Sequence, residues 1–305
     1  MKSPPPHPPL LVLAGCTASG KTEVAARLAA RLGGEVINVD PFQACLALPR
    51  LSAQPSQEET ATAPHHLYGF LPLSHHLSAA SFAREVETTL AEVRERGRLP
   101  VLVSGSGLYL RAVLEGFDDL PATDPQLRRK LDSLTAEERL RQLLQLDPQA
   151  AACIDLQNPR RVQRALEVSL QTGQPITALR GRTPARPKQP TLAFFLHRER
   201  GELRERILRR TKAMLDQGAL QEVAALPERI ESPFTRAIGI AEIRRHLAGK
   251  TTRDECLEQI AIATRQLAKK QESWFRKEPA FIRVTATPHT SAAFLAETLA
   301  RRVSA

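Results

Sequence analysis

The sequence predicts an α/β fold, a parallel sheet core interrupted by an inserted all-helical domain, on three observations. An apolar run, Leu10 to Ala14, leads through Gly15-Cys16-Thr17-Ala18-Ser19-Gly20-Lys21-Thr22 into an amphipathic run, Glu23 to Leu32. Further strand-length apolar runs at 35–39, 99–103 and 191–196 alternate with helical periods, as in a sheet joined by helical crossovers. Residues 121–190 show helical periods without strands and are bounded by proline-rich segments.

The stretch 15–22 fits G-x-x-x-x-G-K-[ST] between a strand and a helix, the context in which that pattern forms a phosphate cradle. Its glycines let the backbone wrap an anion, toward which successive amides and the helix N-terminus point. Lys21 adds a point charge and Thr22 a hydroxyl suited to Mg²⁺. Gly15, Thr17, Ala18, Ser19, Gly20, Lys21 and Thr22 are therefore the expected site for a di- or triphosphate; a glycine-rich turn without ligand is the alternative.

The chain of 305 residues is 42% hydrophobic and 25% charged, ordinary for a globular protein with a sizeable core. The proline-rich start, MKSPPPHPPL, lacks an apolar signal region, so residues 1–9 are expected to be a disordered tail. No apolar run is long enough for a membrane span. The four cysteines are scattered without a C-x-x-C pair, which suits a reduced, cytoplasmic setting and argues against zinc. The net charge of +10 is uneven: −2 over residues 1–120, +9 over 121–212 and +3 over 213–305. Such concentration suggests a polyanionic partner such as nucleic acid, against a merely solvated basic face.

Along the chain, the second apolar run ends on Asp40-Pro41, which places a carboxylate at a strand's carboxyl end near the phosphate loop. Asp40 could hold a metal, accept a proton or cap a turn. Residues 44–77 show no sustained period and read as a long irregular connection, with His65-His66 and His75-His76 as structural or surface histidines. A helical period at 81–96 stops at Gly97, and the strand at 99–103 runs into Ser104-Gly105-Ser106-Gly107-Leu108-Tyr109, a second small-residue loop expected to face the first. Within 121–190, helical periods fall at 126–132, 136–146 and 159–171, the last opened by Asn158-Pro159. Arg160, Arg161 and Arg164 crowd that helix start, where cations are disfavoured unless an anion meets them. A basic helix at 203–215, a turn at 235–239, a long helix near 253–277 and a last strand and helix complete the chain.

In this order the motifs resemble tRNA dimethylallyltransferases, over roughly residues 10–278. They are the loop at 15–22, Asp40…Gln43, Ala63-Pro64-His65-His66, Gly105-Ser106-Gly107-Leu108-Tyr109, Asp124-Pro125…Arg128, Asn158 to Glu167, Arg236-Ala237-Ile238-Gly239, and Thr264 to Gln271 with Trp274-Phe275-Arg276. The resemblance implies a P-loop NTPase-like core (10–120 and 191–305) and an inserted helical domain (121–190) that grips a tRNA anticodon stem–loop. The reaction it implies moves a dimethylallyl group from dimethylallyl diphosphate to N6 of the adenine 3′ to the anticodon. Asp40 would be the general base, with Ser106 beside it; Lys21, Arg236 and Mg²⁺ near Thr22 would stabilise the leaving diphosphate. Asp40, Pro41, Phe42, Gln43, Ser106, Arg236 and Gly239 would be among the tRNA-binding residues, Gln43 reading the edge of the target base. Arg128, Arg160, Arg161, Val162, Gln163 and Arg164, with Lys269, Lys270, Gln271, Trp274 and Arg276, would contact the rest of the RNA.

Departures from that pattern are Cys16 for a usual Pro, Pro41-Phe42 for a Ser-containing pair, Ser104 for a Gly, and Leu51-Ser52-Ala53-Gln54-Pro55 for G-T-A-K-P. Rival readings are a P-loop small-molecule kinase, an adenylate isopentenyltransferase acting on free nucleotide, and an RNA-binding protein on a degenerate P-loop scaffold. A monomer is expected, since no self-complementary apolar patch stands out.

Overall fold

The computed structural model describes residues 9–75, 77–118, 120–121, 123–181, 189–228 and 232–304. The expected tail, but for Pro9, and residues 182–188 of the proline- and arginine-rich linker lie outside them, as does His76. The chain divides into two compact units, Met1–Val113 with Lys188–Ala305, and Leu114–Pro187.

In the first unit, the wholly buried β1 (Leu10–Gly15) enters the phosphate loop and then α1 (Lys21–Leu32). Gly33 ends α1 in the left-handed region at φ 64°, its N–H donating to the Ala29 carbonyl. There follow β2 (Gly34–Asn38), a 3-10 turn at Phe42–Ala44, α2 (Gln57–Thr62) and β3 (His65–His66). Next come α3 (Ala79–Glu95), β4 (Leu99–Ser104) and α4 (Gly107–Glu115). The stretch expected to be irregular thus holds α2 and β3. α2 buries no residue and carries no apolar period; its only sequence signal is the capping box of Ser56 and Glu59. In β3, His66 Nε2 sits 2.7 Å from the Glu35 carboxylate, a structural partnership.

Among the described residues, the regular elements of the second unit are helices: α5 (Pro125–Asp132), α6 (Ala136–Leu146), α7 (Ala150–Cys153), α8 (Pro159–Thr172) and α9 (Ile176–Leu179). Its core gathers Leu131, Leu143, Ile154, Val162, Leu166, Val168 and Ile176. Asn158 caps α8, its side chain accepting from the N–H groups of Arg160 and Arg161.

The chain returns through β5 (Thr191–Arg198), α10 (Arg200–Asp216), α11 (Ala219–Ala224) and a 3-10 turn at Pro233–Arg236. α12 (Ile240–Leu247), α13 (Arg253–Phe275), β6 (Phe281–Ala286) and α14 (Ala292–Ser304) complete it. The sheet order is β3-β2-β4-β1-β5-β6, with every pairing parallel. Leu28 of α1 and Leu295 and Leu299 of α14 are buried with Leu11, Leu13 and Phe194 of the strands in one core. Because β1 lies between β4 and β5, the loops that follow those two strands are the neighbours of the phosphate loop. In open α/β sheets the crevice beyond the strands' carboxyl ends is where ligands bind.

Candidate active site

The phosphate loop is held in a shape that most residues resist. Ala18 takes φ 62° and Gly20 φ 91°, and Gly20 is the N-cap of α1. A Cβ on Gly15 would fall 2.6 Å from Ser19 Oγ and 3.1 Å from the Leu196 carbonyl oxygen, so a larger residue would displace the Ser19 hydroxyl. Ser19 is buried and its hydroxyl has no hydrogen-bond partner in the protein. An orphaned buried hydroxyl inside an anion cradle is the residue type a phosphate oxygen satisfies.

Three arginines that sequence reading did not single out embrace this loop. Arg198, at the end of β5, donates from Nε to the Ser19 carbonyl at 2.6 Å and pairs with Glu202. From α10, Arg206 Nε donates to the Ala18 carbonyl at 2.8 Å and Arg210 Nη2 to the Thr17 hydroxyl at 2.6 Å. Burial pushes the Lys21 ammonium and the Arg210 guanidinium below their usual pKa ranges, and the Asp40 charge opposes this in both. Burial likewise raises the Asp40 carboxyl, against the attraction of Lys21 and Arg210 and the amides of Phe42 and Gln43. One carboxylate and two cations therefore share a single electrostatic neighbourhood.

Asp40 is fixed by its backbone as well as by its charge. Asn38, fully buried at the end of β2, accepts from the Asp40 N–H at 2.8 Å and donates to the Asp40 carbonyl at 2.9 Å and the Leu67 carbonyl at 2.8 Å. An Asn closing an apolar strand was the available signal. One Asp40 oxygen accepts from the Phe42 N–H at 3.1 Å, so it caps the 3-10 turn while lying beside the phosphate loop. The Asp40 charge also raises the pKa of both Tyr68 and Tyr109, after burial, with Tyr109 pushed up to about 12.

The second small-residue loop is tied to both. Ser104 Oγ donates to the Val39 carbonyl at 2.9 Å and accepts from the Ser106 N–H at 3.0 Å, which links the approach to Asp40 with Ser106. The Ser104 substitution thus supplies a brace. A Cβ on Gly105 would lie 2.8 Å from Gln271 Nε2 and 3.5 Å from Lys21 Nζ. α13 closes this side: Cys16, its thiol pushed up to about 12 by burial and the Glu272 charge, donates to the Ala268 carbonyl. Thr22 and Ser106 both keep accessible surface.

Several residues expected on RNA are engaged inside the protein. Val162 is buried in the helical unit's core, so its side chain is not on an RNA-facing surface. Gly239 is buried at φ 107°, where a Cβ would strike Leu51. Pro41 is buried, Phe42 half-buried, and Gln43 donates its amide to the Ser52 and Ala53 carbonyls, holding the departing loop at 51–55. Arg128 grips the fully buried Glu167 with two bonds of 2.7 and 2.8 Å; Arg164 stands 3.7 Å from the same carboxylate and donates to the Pro121 carbonyl at 2.5 Å. Gln163 donates to Asp132. Gln271 and Trp274 are engaged with the two small-residue loops, Gln271 with Thr17 and Gly105 and Trp274 against Gly107. Arg160 and Arg161 remain exposed at the start of α8, Arg161 3.6 Å from Asp155, and so do Arg236, Lys269, Lys270 and Arg276. Over Leu114–Pro187 there are 11 Lys/Arg against 10 Asp/Glu, +1, while residues 188–212 carry 8 against 3, +5. Much of the basic excess thus belongs to the segment whose arginines line the phosphate loop, and not to the helical unit.

Known proteins resemble this chain in sequence and fold. The IPP transferase family model matches residues 47–278 and an isopentenyl transferase model residues 8–68. tRNA dimethylallyltransferase 1 of Citrifermentans bemidjiense is 39% identical over 88% of this chain and 89% of its own. The tRNA dimethylallyltransferase of Cereibacter sphaeroides is 42% identical, over 89% and 94%. Among solved structures, the full-length tRNA isopentenylpyrophosphate transferase of Bacillus halodurans superposes with a TM-score of 0.70 at 31% identity, covering 97% of each chain. A eukaryotic dimethylallyltransferase acting on tRNA gives 0.78 at 26% identity, over 97% of this chain and 78% of that one. Matched by the family model over most of its length and by such relatives over nearly nine-tenths of it, this chain belongs to the IPP transferase family.

Proposed function

We propose that this protein transfers the dimethylallyl group of dimethylallyl diphosphate to N6 of the adenine 3′ to the anticodon in tRNA. What carries the reading is a half-buried carboxylate, Asp40, in the same charged neighbourhood as the phosphate-loop Lys21, in a chain of this family. The N6 lone pair forms a bond to the allylic carbon, the carbon–oxygen bond breaks, and its electron pair leaves on diphosphate. Asp40 accepts the N6 proton; its raised pKa makes it a better base than an ordinary carboxylate. Ser106 orients the amine. Amides of the loop, Ser19, Lys21 and Arg236 stabilise charge on the leaving group, and Arg210 adds to that field.

Thr22 offers a hard oxygen of the type Mg²⁺ prefers, and among the described residues no cluster of three or more His, Cys, Asp or Glu competes for a metal. Mg²⁺ would be held by Thr22 with diphosphate oxygens and would supply charge neutralisation. The target adenine must leave its stack to reach Asp40. Within the helical unit Arg160 and Arg161, and in the core unit Lys269, Lys270 and Arg276, are the exposed cations we assign to the anticodon stem–loop. Four free cysteines fit work in a reducing cytoplasm. Among the described residues no helix is long and apolar enough to cross a membrane.

The test mixes purified protein, Mg²⁺, radiolabelled dimethylallyl diphosphate and unmodified tRNA with an A-A-A run after the anticodon, beside free AMP and ATP. Label in tRNA alone is expected. Label in AMP would replace the reading with the free-nucleotide reaction, and label in none of the acceptors would refute transfer.

A further inference from the structure

One face of α13 is built into the reaction centre. Cys16 of the phosphate loop meets the Ala268 carbonyl and stands 3.7 Å from Glu272. Further along the helix, the Trp274 ring covers Gly107 so closely that a Cβ there would lie 2.1 Å from a ring carbon. Between them Gln271 uses both ends of its carboxamide: Oε1 accepts from the Thr17 N–H at 2.8 Å, and Nε2 donates to the Gly105 carbonyl at 2.8 Å.

We propose that Gln271 is a positioning residue that sets the gap between the phosphate loop and the Ser104–Gly107 loop, and so fixes Ser106 relative to the loop that holds the diphosphate. Thr17 is the residue whose hydroxyl Arg210 also holds, so the amide bridge and the guanidinium fix it from two sides. Gly105 has little room for a side chain, because a Cβ there would lie 2.8 Å from Gln271 Nε2, 3.4 Å from the Gly15 carbonyl oxygen and 3.5 Å from Lys21 Nζ. A side chain with an acceptor at one end and a donor at the other is needed, and only a carboxamide of this length offers both without charge. The outer face of the same helix carries the exposed Lys269, Lys270 and Arg276, so Gln271 sits on the element proposed above to meet RNA while pointing away from it.

The inference rests on the transferase reading for its turnover arm but not for its binding arm. Gln271→Met keeps length and removes both polar ends; Gln271→Glu keeps the acceptor and, when ionised, loses the donor. Calorimetry with inorganic diphosphate and Mg²⁺ should show about tenfold weaker binding for Gln271→Met, the scale expected when two neutral hydrogen bonds are lost. kcat for transfer to tRNA should fall about tenfold too, with tRNA affinity within twofold of wild type. Gln271→Glu should be impaired at pH 8 and recover relative to wild type as the pH is lowered, because the protonated carboxyl again donates to Gly105. The double variant Gln271→Met/Ser106→Ala should be less impaired than the product of the single effects, since both act through one loop. Weaker tRNA binding with unchanged diphosphate affinity and kcat would make Gln271 an RNA contact and overturn the proposal. So would a Gln271→Glu defect constant across pH, or strictly multiplicative effects in the double variant. A wild type that binds diphosphate but transfers nothing would instead sink the transferase reading and leave the calorimetric arm standing.

Discussion

Replacing Arg128 by Ala separates two roles that the sequence left together, RNA contact and internal support. Glu167 has no exposed side-chain surface, and Arg128 supplies its two shortest bonds, at 2.7 and 2.8 Å. Breaking a buried pair by removing one partner costs about 3–5 kcal/mol, chiefly through the charge left behind. Two features reduce that here: Arg164 remains 3.7 Å away, and Arg128 keeps 31% of its side chain exposed. About 2–3 kcal/mol is then expected, and at 1.4 kcal/mol per tenfold this is a roughly 30- to 140-fold loss of protection. Because Glu167 lies on α8 within the helical unit, the loss should appear in amide hydrogen exchange of α8 and its neighbours, not in the sheet. Arg161→Ala, at an exposed position, should do the reverse: protection unchanged, tRNA affinity lower, and the salt slope reduced by about one. If Arg128→Ala left α8 protected while weakening tRNA binding in a salt-dependent way, the supporting role would be refuted and the RNA contact restored.

Two further perturbations test the reaction centre. Gly107→Ala forces a methyl against the Trp274 ring and should destabilise by about 1–3 kcal/mol while lowering turnover, read by thermal unfolding and steady-state rates; wild-type values for both would mean the ring is not seated there. For the pH profile, burial raises the Asp40 carboxyl above its ordinary value, so the basic form is present above that raised pKa and lost as pH falls through it. The descending acid limb of kcat/KM should therefore lie at higher pH than an ordinary carboxylate would give, and Asp40→Asn should abolish transfer while sparing tRNA affinity. An acid limb at the ordinary carboxylate position would remove Asp40 from the role.

How much of this was legible in the sequence follows from how local each signal is. The phosphate loop was readable because its residues are contiguous and its flanking periods are strong; β1, α1, β4, β5 and α13 were readable for the same reason. α2 and β3 were not, since a two-residue edge strand and a helix with no buried face have no periodicity to detect. Asp40 was legible from its place after a strand, but its brace, Asn38, shows its purpose only when the Leu67 carbonyl comes within 2.8 Å.

Charge taught the sharper lesson. Composition alone fixed that residues 121–212 are basic, and it could not say which way each guanidinium turns. Folding brings Arg206 and Arg210, nearly two hundred residues from the phosphate loop in sequence, to within hydrogen-bonding distance of it, and turns Arg128 and Arg164 onto Glu167. Motif chemistry is local and survives in one dimension, so the sequence by itself determined the class of the sheet and pointed to the loop and the carboxylate proposed here as diphosphate cradle and general base. The partner of a long charged side chain is set by what the fold carries to its tip, so only the tertiary structure decided which cations hold the loop, which support the helical unit and which stay free to meet RNA.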